Sequence, residues 1–202
     1  MITNHTQLLN ALIEKYGLKS YLEIGVQNPA NNFEKIKAES KTGVDPEITE
    51  KLTEDFWLCP LISDEYFSTN TGVVKYDLIF IDGLHHADQV KRDFENSLRC
   101  LSDNGYIVIH DVMPENEAGT IVPRETKQWW GDVYKFAMRI AEYEGIDYKT
   151  FDIDNGCMIV WKTGNKNDGQ ETDMSWVGYK TEWDWYLYHR KSYMNVTSTV
   201  EI

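Results

Sequence analysis

YDLIFIDGLHHADQVKRDFENSLRCLSDNGYIVIHD, residues 76–111, decides the fold. Asp77-Leu78-Ile79-Phe80-Ile81 is an apolar run of strand length, too short for a helix. It breaks at Asp82-Gly83. Val90, Phe94, Leu98 and Leu101 then recur every three or four residues, the spacing of an amphipathic helix. Asn104-Gly105 is turn punctuation, and Tyr106-Ile107-Val108-Ile109 reads as a second buried strand. Two continuously apolar strands joined by a helix pair in parallel and are covered on both faces. Each ends in polar residues: Asp82, His85 and His86 after the first, His110-Asp111 after the second. Open α/β sheets bind ligands beyond the carboxyl ends of their strands, so the site is expected there.

The totals bound what surrounds this unit. A chain of 202 residues with 42% hydrophobic and 26% charged residues fits one folded domain. Its net charge of −13 repels phosphate backbones, and no basic patch offsets it, so nucleic acid is not expected as a partner. No stretch approaches the roughly 20 apolar residues that span a bilayer. The first residues lack a basic segment followed by an apolar core, so a cytoplasmic location is expected. Cys59, Cys100 and Cys157 are widely spaced and odd in number, which suits reduced core thiols.

Along the chain, Thr6 is expected to cap a helix carrying Leu8, Leu9, Leu12 and Ile13, ended by Gly17. Tyr21 to Val26 reads as a buried strand containing Glu23. Asn32 is placed to cap a short helix through Ala38, Lys41 to Asp45 forms a second strand, and Asp55 to Ile62 a third. Ser63 is expected to cap a helix with Asp64 and Glu65 in its first turn. Val112 to Thr126 is a long polar loop, the kind that serves as a lid or binding loop. Lys127 to Glu144 reads as a helix. Asp154-Asn155-Gly156 joins strands Tyr148–Ile153 and Cys157–Lys162 as a hairpin. The domain is read as residues 1–162. Residues 163–202 form an aromatic extension (Trp176, Tyr179, Trp183, Trp185, Tyr186, Tyr188, Tyr193), packed on the same domain or on a partner subunit in a homodimer.

Five βα units and a terminal hairpin give an α/β, doubly wound, Rossmann-like sheet, mostly parallel, with one reversed strand near the C-terminus. YLEIGV, TGVDP, SDEYF and FIDGLHH with IHD occur in order between Tyr21 and Asp111, and the order of elements continues to about Lys162. In that arrangement the chain resembles class I S-adenosylmethionine-dependent methyltransferases, in particular the small macrocin and catechol O-methyltransferase group. The resemblance implies S-adenosylmethionine in a cleft formed by Gly25, Asp45 and Asp82. A glycine after the first strand lets backbone approach a nucleotide-like ligand closely; Gln27 and Pro29 stand where further glycines are usual. A carboxylate at Asp45 can accept both ribose hydroxyls, Glu23 flanks the glycine, and Ser63-Asp64 is placed for the adenine edge or for helix capping.

The metal-dependent relatives hold Mg²⁺ on carboxylates after the fourth and fifth strands, which match Asp82 and Asp111. Their third oxygen ligand is replaced here by Val112. His86 or His110 as a ligand would suit Mn²⁺, Fe²⁺ or Zn²⁺ better than Mg²⁺. In-line attack of an acceptor oxygen on the sulfonium methyl needs a base, and His110 and His86 are the candidates, with Asp111 orienting His110 or binding the metal. The resemblance implies O-methylation of a small molecule, such as a sugar or glycan precursor. Trp129-Trp130 and the aromatic tail are read as acceptor contacts, core packing or a dimer surface. Two rival readings stand beside this one: a metal-dependent hydroxylase on the same scaffold, and a binding domain without catalysis.

Overall fold

The computed structural model describes residues 1–49, 51–70, 72–164 and 180–198. Nine strands among them form one sheet: β1 (Ser20–Ile24), β2 (Ser40–Val44), β3 (Lys51–Leu52), β4 (Phe56–Cys59), β5 (Tyr76–Ile81), β6 (Leu101–Ile109), β7 (Ile146–Phe151), β8 (Cys157–Lys162) and β9 (Val196–Thr197). The helices are α1 (His5–Tyr16), α2 (Ser63–Thr69), α3 (Ala87–Cys100), α4 (Val133–Ala137) and α5 (Glu182–Tyr193). The spatial order is β3-β4-β2-β1-β5-β6-β8-β7-β9. The strands from β4 to β6 in that order pair in parallel, and β8 enters between β6 and β7 antiparallel to both. No helix among the described residues is long and apolar enough to cross a membrane.

The two-residue period of the strands divides the core. Leu22, Ile24, Ile79, Ile81, Ile107 and Ile109 face one side, where they pack with Val90 and Phe94 of α3 and Val133 of α4. Tyr21, Leu78, Phe80 and Val108 face the other, against Leu8, Leu9, Leu12 and Ile13 of α1. In the C-terminal segment, Trp185 and Tyr186 of α5 and the adjoining Met194 are buried in the first of these cores, while Tyr188 is exposed. Trp176 and Tyr179 lie outside the described residues.

Several local expectations are corrected. Asn4, not Thr6, caps α1, accepting from the Gln7 N–H at 3.0 Å. Thr6 instead donates to Asn32 Oδ1. Asn32 caps no helix: only a 3₁₀ turn, Phe33–Lys35, follows, because its side chain is turned inward to Glu23. Ser63 is the first residue of α2 rather than its cap, and its hydroxyl accepts from Gln89. The third strand shortens to Phe56–Cys59, and the sequence reading missed the edge strands β3 and β9. The expected turn at Asn104-Gly105 is absorbed into β6.

The helix expected from Lys127 to Glu144 is reduced to α4 and a 3₁₀ turn, Ile140–Glu142. The preceding residues are spent on tertiary contacts. Trp130 N–H donates to Gly119 O, and Gly131 (φ +61°) passes so near His85 that a Cβ would sit 1.7 Å from its carbonyl oxygen. Asp132 accepts the Ala87 N–H at 2.7 Å and so caps α3 from a distance.

Two features bring β1 to the site. At its end, Gly25 (φ +91°) lies against the β5 loop, where a Cβ would stand 2.2 Å from Asp82 O. Within it, buried Glu23 accepts from the Tyr21 hydroxyl at 2.6 Å and the Asn32 amide at 2.9 Å. Burial pushes the Glu23 carboxyl up to about 8, against those stabilising donors. Gly25→Ala combines overpacking with a left-handed backbone and is expected to cost about 3 kcal/mol or more in urea denaturation. Glu23 has a second consequence. From its ordinary value of 4.5 up to about 8, the native state holds a proton that the unfolded chain has released. This contribution to stability is therefore full below the lower value and is lost as pH rises through the upper one. Glu23→Gln is expected to remove that decline, roughly 2–4 kcal/mol, from the pH profile of denaturation midpoints.

Candidate active site

A cleft of about 800 Å³ opens at the carboxyl ends of β1, β2 and β5. Glu23, Gly25, Asp45, Ser63, Asp64 and Asp82 all line it. Parallel pairing of the three strands sets this geometry, because each delivers its last residue to the same edge. Asp45 is held by its own loop: one oxygen accepts the Gln27 N–H and the other the Glu47 N–H, both at 2.8 Å. At the other end, the Gln89 amide of α3 bridges Ser63, Asp64 and Asp93 at 3.0–3.2 Å. Gln89 lines the cleft as well, and no periodic signal marked it.

The floor of the cleft is a compact cluster of charge. His85 lies between two carboxylates, its Nε2 3.3 Å from Asp82 and its Nδ1 3.4 Å from Asp111. Its ring stacks on Trp129 at 5.4 Å. Burial alone would lower the His85 pKa, but the flanking Asp82 and Asp111 raise it above the ordinary histidine value. Burial would raise Asp82, yet His110 and His85 hold it well below the usual carboxylate range. Burial wins at Asp111, pushing it up to about 6 although His110 draws it down. Asp111 has φ +57°, and its Oδ1 is buried without a hydrogen-bond partner.

His110 sits beneath this cluster. Nδ1 faces Asp82 at 3.1 Å and Nε2 faces the Asp154 carbonyl oxygen at 2.7 Å. Both partners are acceptors, so both ring nitrogens donate and the imidazole is cationic. Burial opposes that charge, but Asp82 and Asp154 raise the pKa well above the ordinary value. His86 lies elsewhere: it precedes α3 and lines a separate groove with Lys135 and Arg139.

Asp82, His85 and Asp111 each offer a donor atom within 4.8 Å of the others. Together these three side chains could hold a metal ion. Asp111 Oδ1 makes no hydrogen bond and lies 3.5 Å from His110 Nδ1, and one nitrogen with two carboxylates suits Mn²⁺, Fe²⁺ or Zn²⁺. The sequence named His86, and the structure places its neighbour His85 beside the two carboxylates, adjacent histidines in a loop having no periodicity to tell them apart. The signal that separates them is Gly131, which lets the chain close against His85. Trp129 and Trp130 also part company: Trp130 is buried packing, and Trp129 lines the cleft with Arg124.

A family profile described as a methyltransferase domain matches residues 9–112, just over half of the chain. No curated protein matches it by sequence. Among solved structures, a Staphylococcus aureus protein described as a caffeoyl-CoA O-methyltransferase shares 19% identity, with 81% of this chain and 86% of that one covered and a TM-score of 0.57. The Podospora anserina methyltransferase PaMTH1, bound to S-adenosylhomocysteine, gives 18% identity, 78% and 77% coverage and 0.58. The methyltransferase MycE of mycinamycin biosynthesis, solved with Mg, S-adenosylhomocysteine and mycinamycin VI, gives 16%, 81% and 50%, and 0.53. At such identities the likeness speaks to the fold. Together with the profile and the strand order, it establishes that the chain belongs to the methyltransferase-domain family, among the class I S-adenosylmethionine-dependent methyltransferases.

Proposed function

We propose that the protein transfers a methyl group from S-adenosylmethionine to a hydroxyl of a small molecule, with a sugar or glycan precursor as the acceptor class. The observation that carries the reading is the joining of Gly25, Asp45 and Asp82 with a charged floor in one cleft. Gly25 leaves room for backbone to meet the donor, and Asp45 receives the ribose hydroxyls. Ser63, Asp64 and Gln89 present polar atoms to the adenine edge. S-adenosylmethionine supplies an electrophilic methyl on a positively charged sulfur. Acidic residues lining the cleft favour that charge, and Trp129 and Arg124 at its rim exclude water.

A divalent ion held by Asp82, His85 and Asp111 is the second part of the proposal, and it would supply Lewis acidity to the acceptor hydroxyl. Both ring nitrogens of His110 are committed, so its part is electrostatic: a fixed cation that keeps Asp82 ionised. His86 is removed from the floor and does not enter the reaction.

Titration calorimetry with S-adenosylhomocysteine tests the donor site. Wild type is expected to bind in the micromolar range and Asp45→Ala about 10- to 100-fold more weakly, the loss of charge-assisted hydrogen bonds. Equal affinity in the two proteins would remove Asp45 from the site. For the ion, Mn²⁺ binding followed by electron paramagnetic resonance is expected to weaken more than roughly 100-fold in Asp111→Asn and in His85→Gln, beyond what loss of a supporting partner costs. Unchanged Mn²⁺ affinity in either variant would discard that residue as a ligand.

A further inference from the structure

The methyl-transfer reading needs a group to take the acceptor's proton, and the histidines at the strand ends are not equivalent. His110 gives both ring nitrogens to acceptors, and His85 has a carboxylate beside each of its own. His5, in the first turn of α1, is placed differently. Its Nδ1 lies 2.6 Å from Asp154 Oδ2, which also accepts the His5 backbone N–H at 2.9 Å. The His110 imidazole, its Nε2 3.7 Å from Oδ2, and the two hydrogen bonds from His5 hold the Asp154 carboxyl well below its usual range, so it is ionised and only accepts. In the neutral ring Nδ1 therefore carries the proton. Nε2 is left with its lone pair, and no hydrogen bond engages it among the described residues.

The ring is fixed on two sides. It stacks on Phe80 of β5 at 5.3 Å and meets the edge of His110 at 4.7 Å. His5 lines the same cleft as Asp82 and His85. Its orienting partner is equally fixed: Asp154, Asn155 and Gly156 have φ of 49°, 62° and 90°, and the Asn155 carbonyl accepts from Met113 N–H at 2.7 Å. The groups facing His5 are Asp154 from the β7–β8 hairpin, Phe80 from β5 and cationic His110 after β6. Beyond them lies the buried Cys157 thiol, which burial pushes up to about 12 and keeps neutral. A carboxylate that fixes the tautomer of an imidazole and leaves Nε2 open is the arrangement general-base catalysis requires.

Resting on the methyl-transfer reading above, we propose that His5, oriented by Asp154, is the general base. Nε2 takes the hydroxyl proton as the acceptor oxygen bonds to the methyl carbon. The carbon–sulfur bond breaks with its electron pair going to sulfur, which leaves as a neutral thioether, and the imidazolium then returns its proton to solvent.

Long-range ¹H–¹⁵N spectra of the full chain test the first requirement: neutral His5 is expected protonated at Nδ1, and a proton on Nε2 overturns the proposal. Turnover is then followed as S-adenosylhomocysteine release with a panel of free monosaccharides as the probe acceptors. His5→Asn and Asp154→Asn are each expected to lower kcat roughly 100-fold or more. The KM for the donor and the calorimetric affinity for S-adenosylhomocysteine should not change. A folded His5→Asn protein with wild-type kcat overturns the assignment. Failure of the wild type to bind S-adenosylhomocysteine overturns the underlying reading instead, independently of His5.

Discussion

The site depends on holding two carboxylates at the ends of neighbouring parallel strands. Asp82 ends β5 and Asp111 follows β6, and strand pairing brings them to the same edge of the sheet whether or not their charges tolerate it. Like charges in a buried place raise each other's pKa unless cations intervene. His85 and His110 are those cations or their neutral precursors. They divide the task unequally: Asp82 is kept ionised, while Asp111 is left with a raised pKa and an oxygen that makes no hydrogen bond, 3.5 Å from His110 Nδ1. An unsatisfied buried oxygen costs on the order of 1–3 kcal/mol. It persists because the left-handed backbone at Asp111, pinned by the hairpin below it, gives the side chain nowhere else to go.

Much of this was legible in the residues. The alternation of apolar side chains in β1, β5 and β6 identifies buried strands. Polar residues at their ends mark the ligand edge, and Asp154-Asn155-Gly156 announces the reversed strand. Gly25, Asp45 and Asp82 follow from that frame because each terminates a strand. What escaped were decisions made between distant segments. Lys127 to Glu144 has helical spacing, but contacts with the His85 loop and Gly119 overrule it for residues up to Asp132. Ser63, Asn32 and Thr6 all look like helix caps locally. Each instead pairs with a residue distant in sequence, Thr6 with Asn32, Asn32 with Glu23 and Ser63 with Gln89.

Histidines show the same limit sharply. His85 and His86 are identical in composition and adjacent in sequence, yet one lies between two carboxylates and the other lines a different groove. His5 carried no local signal at all. It resembles any polar residue in a first helical turn until Asp154, 149 positions away, reaches it. Hydrophobic periodicity reports which face of an element is covered; it does not report which polar atoms meet across a cleft.

That separation of 149 positions also governs the order in which the molecule becomes competent. Chains emerge from the ribosome N-terminus first, and domains fold as their contacts become available. The strands that carry Gly25, Asp45 and Asp82 can pair once β5 has been made. His5, among the first residues synthesised, must wait for the β7–β8 turn before its imidazole is oriented, and the β8 strand must then slot between β6 and β7. A nascent chain therefore completes the edge formed by β1, β2 and β5 before His5 can meet Asp154.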